Sequence, residues 1–129
     1  MPAQSDPRFD AQPETAAALA QMKEVAWTAT DPELLELCRV RMALMLASGE
    51  DLKEPAPETL SDRELAFLAF TEQFVLSVAS VSDSEVNALL AYAEPVDVYS
   101  FVAALYSLEM TLRIEMASRV VLAPEEAAA

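Results

Sequence analysis

Helix-start signals recur along this chain, and they constrain its fold more than any other feature. Pro13-Glu14 places a proline at a first helical position and an acid in the first turn, where a missing N–H costs nothing and negative charge is favoured. Asp31-Pro32-Glu33 repeats the device with an N-cap acceptor in front. Ser61-Asp62-Arg63-Glu64 and Ser82-Asp83-Ser84-Glu85 both read as capping boxes. Behind each start, apolar residues return at steps of three and four. Leu19, Met22, Val25 and Ala26 predict a helix over about 13–28. Leu34, Leu35, Cys38, Met42, Met45 and Leu46 predict a second that runs to Gly49, the expected C′ stop. Leu65, Leu68, Ala69, Phe74, Val75 and Leu76 mark a third, and a short fourth ends before Pro95. The last, about 96–121, is the longest, with Val98, Phe101, Val102, Leu105, Leu108, Leu112 and Met116 as its apolar stripe. Between them, 49–60 carries two prolines and five charges and cannot be helix throughout.

No stretch reads as a strand hairpin. The pattern predicts an all-α single domain of about five helices over 13–122. A flexible lead-in is expected at 1–12 and a disordered acidic, alanine-rich tail at 123–129. At 129 residues and 53% hydrophobic, the chain can bury a real core despite a formal charge of −14. Disordered acidic segments combine high charge with low hydrophobicity, so this charge does not signal disorder.

Missing atoms exclude several chemistries. Without histidine there is no Ser-His-Asp or Cys-His pair, no His-ligated haem and no Glu-x-x-His di-iron site. One cysteine makes no internal disulfide, zinc knuckle or CxxC couple, and one glycine makes no phosphate-binding loop. No cofactor and no metal site is expected. The acidic run Glu50-Asp51-Glu54-Glu58 reads as a solvated loop, since no calcium-loop pattern accompanies it. The strong negative charge disfavours nucleic acid and anionic lipid as partners. The N-terminus, MPAQSDPRFDAQPE, lacks the basic and apolar regions of a signal peptide, and an unpaired thiol fits a reducing compartment, so the chain is expected to be cytoplasmic.

Several stretches in order resemble the carboxymuconolactone decarboxylase family, with its AhpD-like (alkylhydroperoxidase-like) helical fold. They are Glu36-Leu37-Cys38-Arg39-Val40-Arg41-Met42-Ala43, the run from Leu60 to Glu72, Val81 to Val86, and Arg113 and Arg119-Val120 in the closing helix. The resemblance spans roughly 30–121 and implies an AhpD-like bundle that assembles into oligomers. Counted on from Arg39-Val40-Arg41, the family's two cysteines fall at Ser48 and Asp51, and its histidine near Pro55. Peroxide reduction needs a low-pKa thiolate and a resolving thiol. The resemblance therefore implies a member without the redox motif: a non-catalytic binding or structural subunit, a homo-oligomer, with an active relative as a candidate partner.

Two alternatives stand beside it. In the first, an enzyme acts on a small organic acid or lactone through a pocket built from the last helix. Glu109 and Arg113 sit at i,i+4, the favourable orientation for an ion pair, and Glu115 follows on another face. A buried Glu109 could transfer protons; an ion pair at a solvent edge or subunit contact is the commoner reading. Tyr99 and Tyr106 stand seven apart on one face and would serve to stack on a ligand, or to pack in the core or an interface. In the second, weaker alternative, the chain is an acidic adaptor that masks a basic surface. Cys38, mid-helix among leucines, reads as a buried structural thiol.

Overall fold

The computed structural model describes residues 12–77 and 81–122; the expected tail, and the expected lead-in apart from Gln12, lie outside the described residues. Five α-helices follow one another: α1 Pro13–Ala29, α2 Pro32–Met45, α3 Asp62–Leu76, α4 Asp83–Leu90 and α5 Pro95–Val121, with a short 3-10 turn at Pro57–Thr59. Among the described residues there is no strand, and no helix is long and apolar enough to cross a membrane. The fold is all-α, as the start signals predict.

Those signals act through the expected atoms. Asp31 Oδ1 accepts from the N–H groups of Glu33 (3.0 Å) and Leu34 (3.5 Å), capping α2. At α3 the box is complete: Glu64 N–H donates to Ser61 Oγ at 3.1 Å, and Ser61 N–H donates to Glu64 Oε1 at 2.8 Å. At α4 the N–H of Ser82 donates to Glu85 at 2.9 Å, and the Ser82 hydroxyl donates to the same carboxylate. These donors, the hydroxyl first, hold the Glu85 carboxyl below its ordinary range.

The end of α2 differs from expectation. The helix stops at Met45, and the residue in left-handed conformation at C′ is Ala47 (φ 54), with Gly49 (φ 89) two residues further on. Ser48 N–H reaches back to Ala43 C=O (3.0 Å) and Ala47 N–H to Leu44 C=O (3.2 Å), which is the Schellman pattern. A residue with a Cβ at this position costs about 1 kcal/mol or more. The chain accepts that cost because the turn must end with Ser48 facing inward, 7% exposed.

α1 lies along α5, α2 packs between α3 and α5, and α4 covers the junction of α3 and α5. The core is Leu35, Cys38 and Met42 of α2, Phe67, Phe70 and Phe74 of α3, Leu89 of α4, and Phe101, Leu105 and Leu108 of α5. Phe67 meets Phe101 edge to face at 4.7 Å between ring centroids, joining α3 to α5. Several expected core positions lie outside instead. Val25, Leu65 and Leu76 are exposed, and Ala16, Phe67, Phe70 and Thr71 take the buried places on those helices. On α2 and α5 the expected stripes hold, with Leu34, Leu35, Cys38 and Met42 and then Val98, Phe101, Leu105, Leu108 and Leu112 all buried.

Candidate functional site

Cys38 is fully buried, and burial pushes its thiol up from 9.0 to about 11 against the smaller opposing effects of the Thr71 hydrogen bond and the Arg41 charge. A thiol in that condition is not a thiolate near neutral pH and serves as packing. The structural reading of Cys38 fits these surroundings.

The residues singled out on the last helix do not gather in one place. Glu109 and Arg113 pair at 3.5 Å, with the carboxylate 17% and the guanidinium 50% exposed. Tyr99 is 76% exposed, so a place in the core is excluded for it. Tyr106 is exposed too, its ring edge-on to Phe74 at 5.7 Å. Glu115 lies elsewhere, facing α1 and the end of α2.

Around Glu115 a pocket of about 130 Å³ opens, lined by Lys23 of α1, Arg39 of α2, Glu50 of the following loop, and Leu108, Thr111, Leu112, Glu115 and Arg119 of α5. Each wall follows from local sequence. Thr111 and Leu112 lie three and four residues after Leu108, Glu115 four and three after them, and Arg119 four further on, so the five share one face of α5. Thr111 spends its hydroxyl proton on its own helix, at Ser107 C=O (3.0 Å) and Leu108 C=O (3.1 Å), so it turns only lone pairs outward. Lys23 Nζ donates to both oxygens of Glu115 at 3.4 Å, tying α1 to α5. Arg39 donates to Glu36 at 2.8 and 3.0 Å and to Glu50 at 3.3 Å. Glu36 first, with Glu50 adding, pushes the Arg39 pKa up, so the guanidinium stays charged. Arg119 Nη1 donates to the carbonyl of Ser48 at 3.0 Å, across the Schellman turn. That carbonyl points at α5 because Ala47 is left-handed.

The chemistry of this pocket is cationic at the rim and apolar at the floor. Three of the chain's eight lysines and arginines converge here against two carboxylates, in a chain that carries −14 overall. A guanidinium has five N–H donors, and the Ser48 carbonyl takes one from Arg119. Among the described residues no group of three or more carboxylates and thiols is placed to hold a metal ion. Sequence reasoning found Glu115 and missed Lys23, Arg39, Arg119 and Thr111. The i,i+4 ladder Thr111, Glu115, Arg119 was a signal available for two of the missed residues, Thr111 and Arg119. The expected solvated loop at 49–60 is partly tied down, with Glu50 on Arg39 and Glu54 on Arg41. Arg41 also pairs with Glu72 of α3.

The chain matches no family model, no curated protein and no solved structure.

Proposed function

We propose that this protein is a non-catalytic, cytoplasmic binding subunit of the AhpD-like kind, which self-associates and takes a small carboxylate at the Arg39–Arg119 pocket. The observation that carries the reading is the convergence of Lys23, Arg39 and Arg119 over the Leu108–Leu112 floor. Guanidinium groups match a carboxylate's two oxygens, and two buried leucines suit a short alkyl tail. The volume, about 130 Å³, is that of roughly four water molecules, which limits the ligand to a few heavy atoms. Under the family resemblance Ser48 stands at a cysteine position, and its side chain is a hydroxyl that donates to Glu50 at 3.3 Å, with no thiol to form a thiolate. Cys38, buried with a raised pKa, does not replace that thiolate. An active relative remains the proposed companion.

The enzyme reading through Glu109, Arg113, Tyr99 and Tyr106 draws less support. Its carboxylate is already paired, and Tyr99 stands out in solvent. The acidic-adaptor reading has no particular surface to rest on.

The test is an amide-resolved NMR titration with butyrate, set against chloride at equal ionic strength. Saturable shifts at Lys23, Ser48–Glu50 and the 108–119 stretch are expected, with a Kd on the order of 1 mM, and Arg119→Gln should remove them. Shifts that track chloride alone would overturn the binding reading. Separately, turnover of an organic peroxide with a dithiol reductant, abolished by Cys38→Ser, would overturn the non-catalytic one.

A further inference from the structure

α5 carries a second apolar row, opposite the core. Val96, Tyr99, Ala103, Tyr106, Met110, Ala117 and Val120 follow one another in alternating steps of three and four, with Arg113 at the remaining place in the series. Met110 is half-buried and the others are exposed, Val96 and Val120 by 68% and 79%. An average repeat of 3.5 residues is the spacing of a seam that packs along another helix. Over this length it runs about 36 Å. On the other side of the same helix Phe101, Leu105, Leu108 and Leu112 are buried. A helix with apolar rows on two opposite sides has two surfaces to pack, and the rest of this chain covers one.

We propose that the second surface is α5 of another copy of this chain, packed antiparallel about a two-fold axis that passes between Tyr106 and Met110. The proposal rests on the self-association put forward above and names the interface. The order of side chains argues for an identical partner in that direction. Under the two-fold, Val96 meets Val120, Tyr99 meets Ala117, Ala103 meets Arg113, and Tyr106 meets Met110. Both alanines thus face a long side chain. Arg113 enters beside Ala103 while keeping its own Glu109, 3.5 Å away, as counter-ion. A parallel pair would instead set Ala103 against Ala103, leaving a void, and Arg113 against Arg113, burying two like charges. Tyr99 of the second copy also arrives at Ala117, on the border of a groove of about 360 Å³ between α1 and α5 lined by Ala16, Leu19, Ile114 and Val121 among others. The row contains no acid, so it does not suit a basic partner, and all 22 acidic residues of each copy lie off it. A helix pair of this length buries on the order of 1,000 Å², the lower bound for a specific interface.

Light scattering and single-residue variants test this. The wild type is expected at about 28 kDa, twice the 14.0 kDa chain. Tyr99→Glu sets a carboxylate against Ala117 and should raise the dimer Kd about 30-fold or more, with an unchanged helical spectrum. Ala103→Glu sets a carboxylate opposite Arg113 and should leave the dimer intact; in a parallel pair it would break it. A wild-type monomer removes self-association and this interface together. An assembly that survives Tyr99→Glu, or that Ala103→Glu disperses equally, removes the interface alone and leaves self-association standing. Oxidation of a Tyr106→Cys/Met110→Cys double variant should cross-link the two copies, whereas Tyr99→Cys alone should not; the reverse result overturns the antiparallel register.

Discussion

On one side of α5, Phe101, Ala104, Leu105 and Leu108 are enclosed by the rest of the bundle; on the other, Val96, Tyr99, Ala103 and Tyr106 stand against solvent. Composition does not separate the two sides. What separates them is reach. The first side has Phe67 of α3 edge-on to Phe101 and further core side chains from α2 and α4 around it. On the second, Phe74 meets Tyr106 edge-on at 5.7 Å, and Val96, Tyr99 and Val120 stay exposed. Apolar content thus decides that a face will be covered, and geometry decides by what.

The largest separation between the faces should appear on truncation. Phe101→Ala empties a place in the core and should cost about 3–5 kcal/mol in chemical denaturation. Tyr99→Ala, measured at dilutions where the protein is monomeric, should cost less than about 0.5 kcal/mol. Comparable losses would mean that the outward row is already packed within one chain.

Alkaline pH probes the inner side next. The folded state holds the Cys38 proton up to about 11, while the unfolded chain releases it from about 9. Above the unfolded value the unfolded state has fewer bound protons, so stability falls as pH rises through that interval. The loss should approach roughly 2–3 kcal/mol, and Cys38→Ala should lack this part of the alkaline decline. A wild-type profile that parallels the variant's would show that the thiol is not enclosed.

A smaller effect belongs to the turn that fastens the Arg119 end of α5. Ala47→Gly relieves the left-handed Cβ and should raise stability by about 0.5–1 kcal/mol, read from the denaturation midpoint. Destabilisation would contradict the Schellman geometry. Smallest of all is Glu109→Gln. Its partner is half exposed and 3.5 Å away, so monomer stability should change by less than about 0.5 kcal/mol. Between pH 6 and 7.5 the melting temperature should stay flat, because no side chain has an ordinary pKa in that window. A decline there that disappears in Glu109→Gln would revive a proton-transferring carboxylate.

Helix starts were legible in the sequence because their causes are local: a proline at N1 or a hydroxyl three residues before a glutamate acts within one turn. The end of α2 was misread for the same reason in reverse. Gly49 was the obvious stop by residue type, yet the left-handed position fell on Ala47, where the backbone had to turn to bring Ser48 to α5. Of the pocket, only Glu115 was picked out. Lys23 comes from 92 residues away in the chain, and no local spacing links the two.

By itself, then, the sequence determined the helical class, the N-terminal boundaries and the exclusion of histidine, disulfide and phosphate-loop chemistry, since each depends on residue types and neighbours within a few positions. The sequence also marked the core face of α5, whereas only the tertiary structure decided that Val25 and Leu76 lie outside and that Lys23, Arg39 and Arg119 meet over Leu108 and Leu112. The physical reason is that burial and charge clustering depend on how rigid helices stack, and stacking is set by contacts among side chains tens of residues apart.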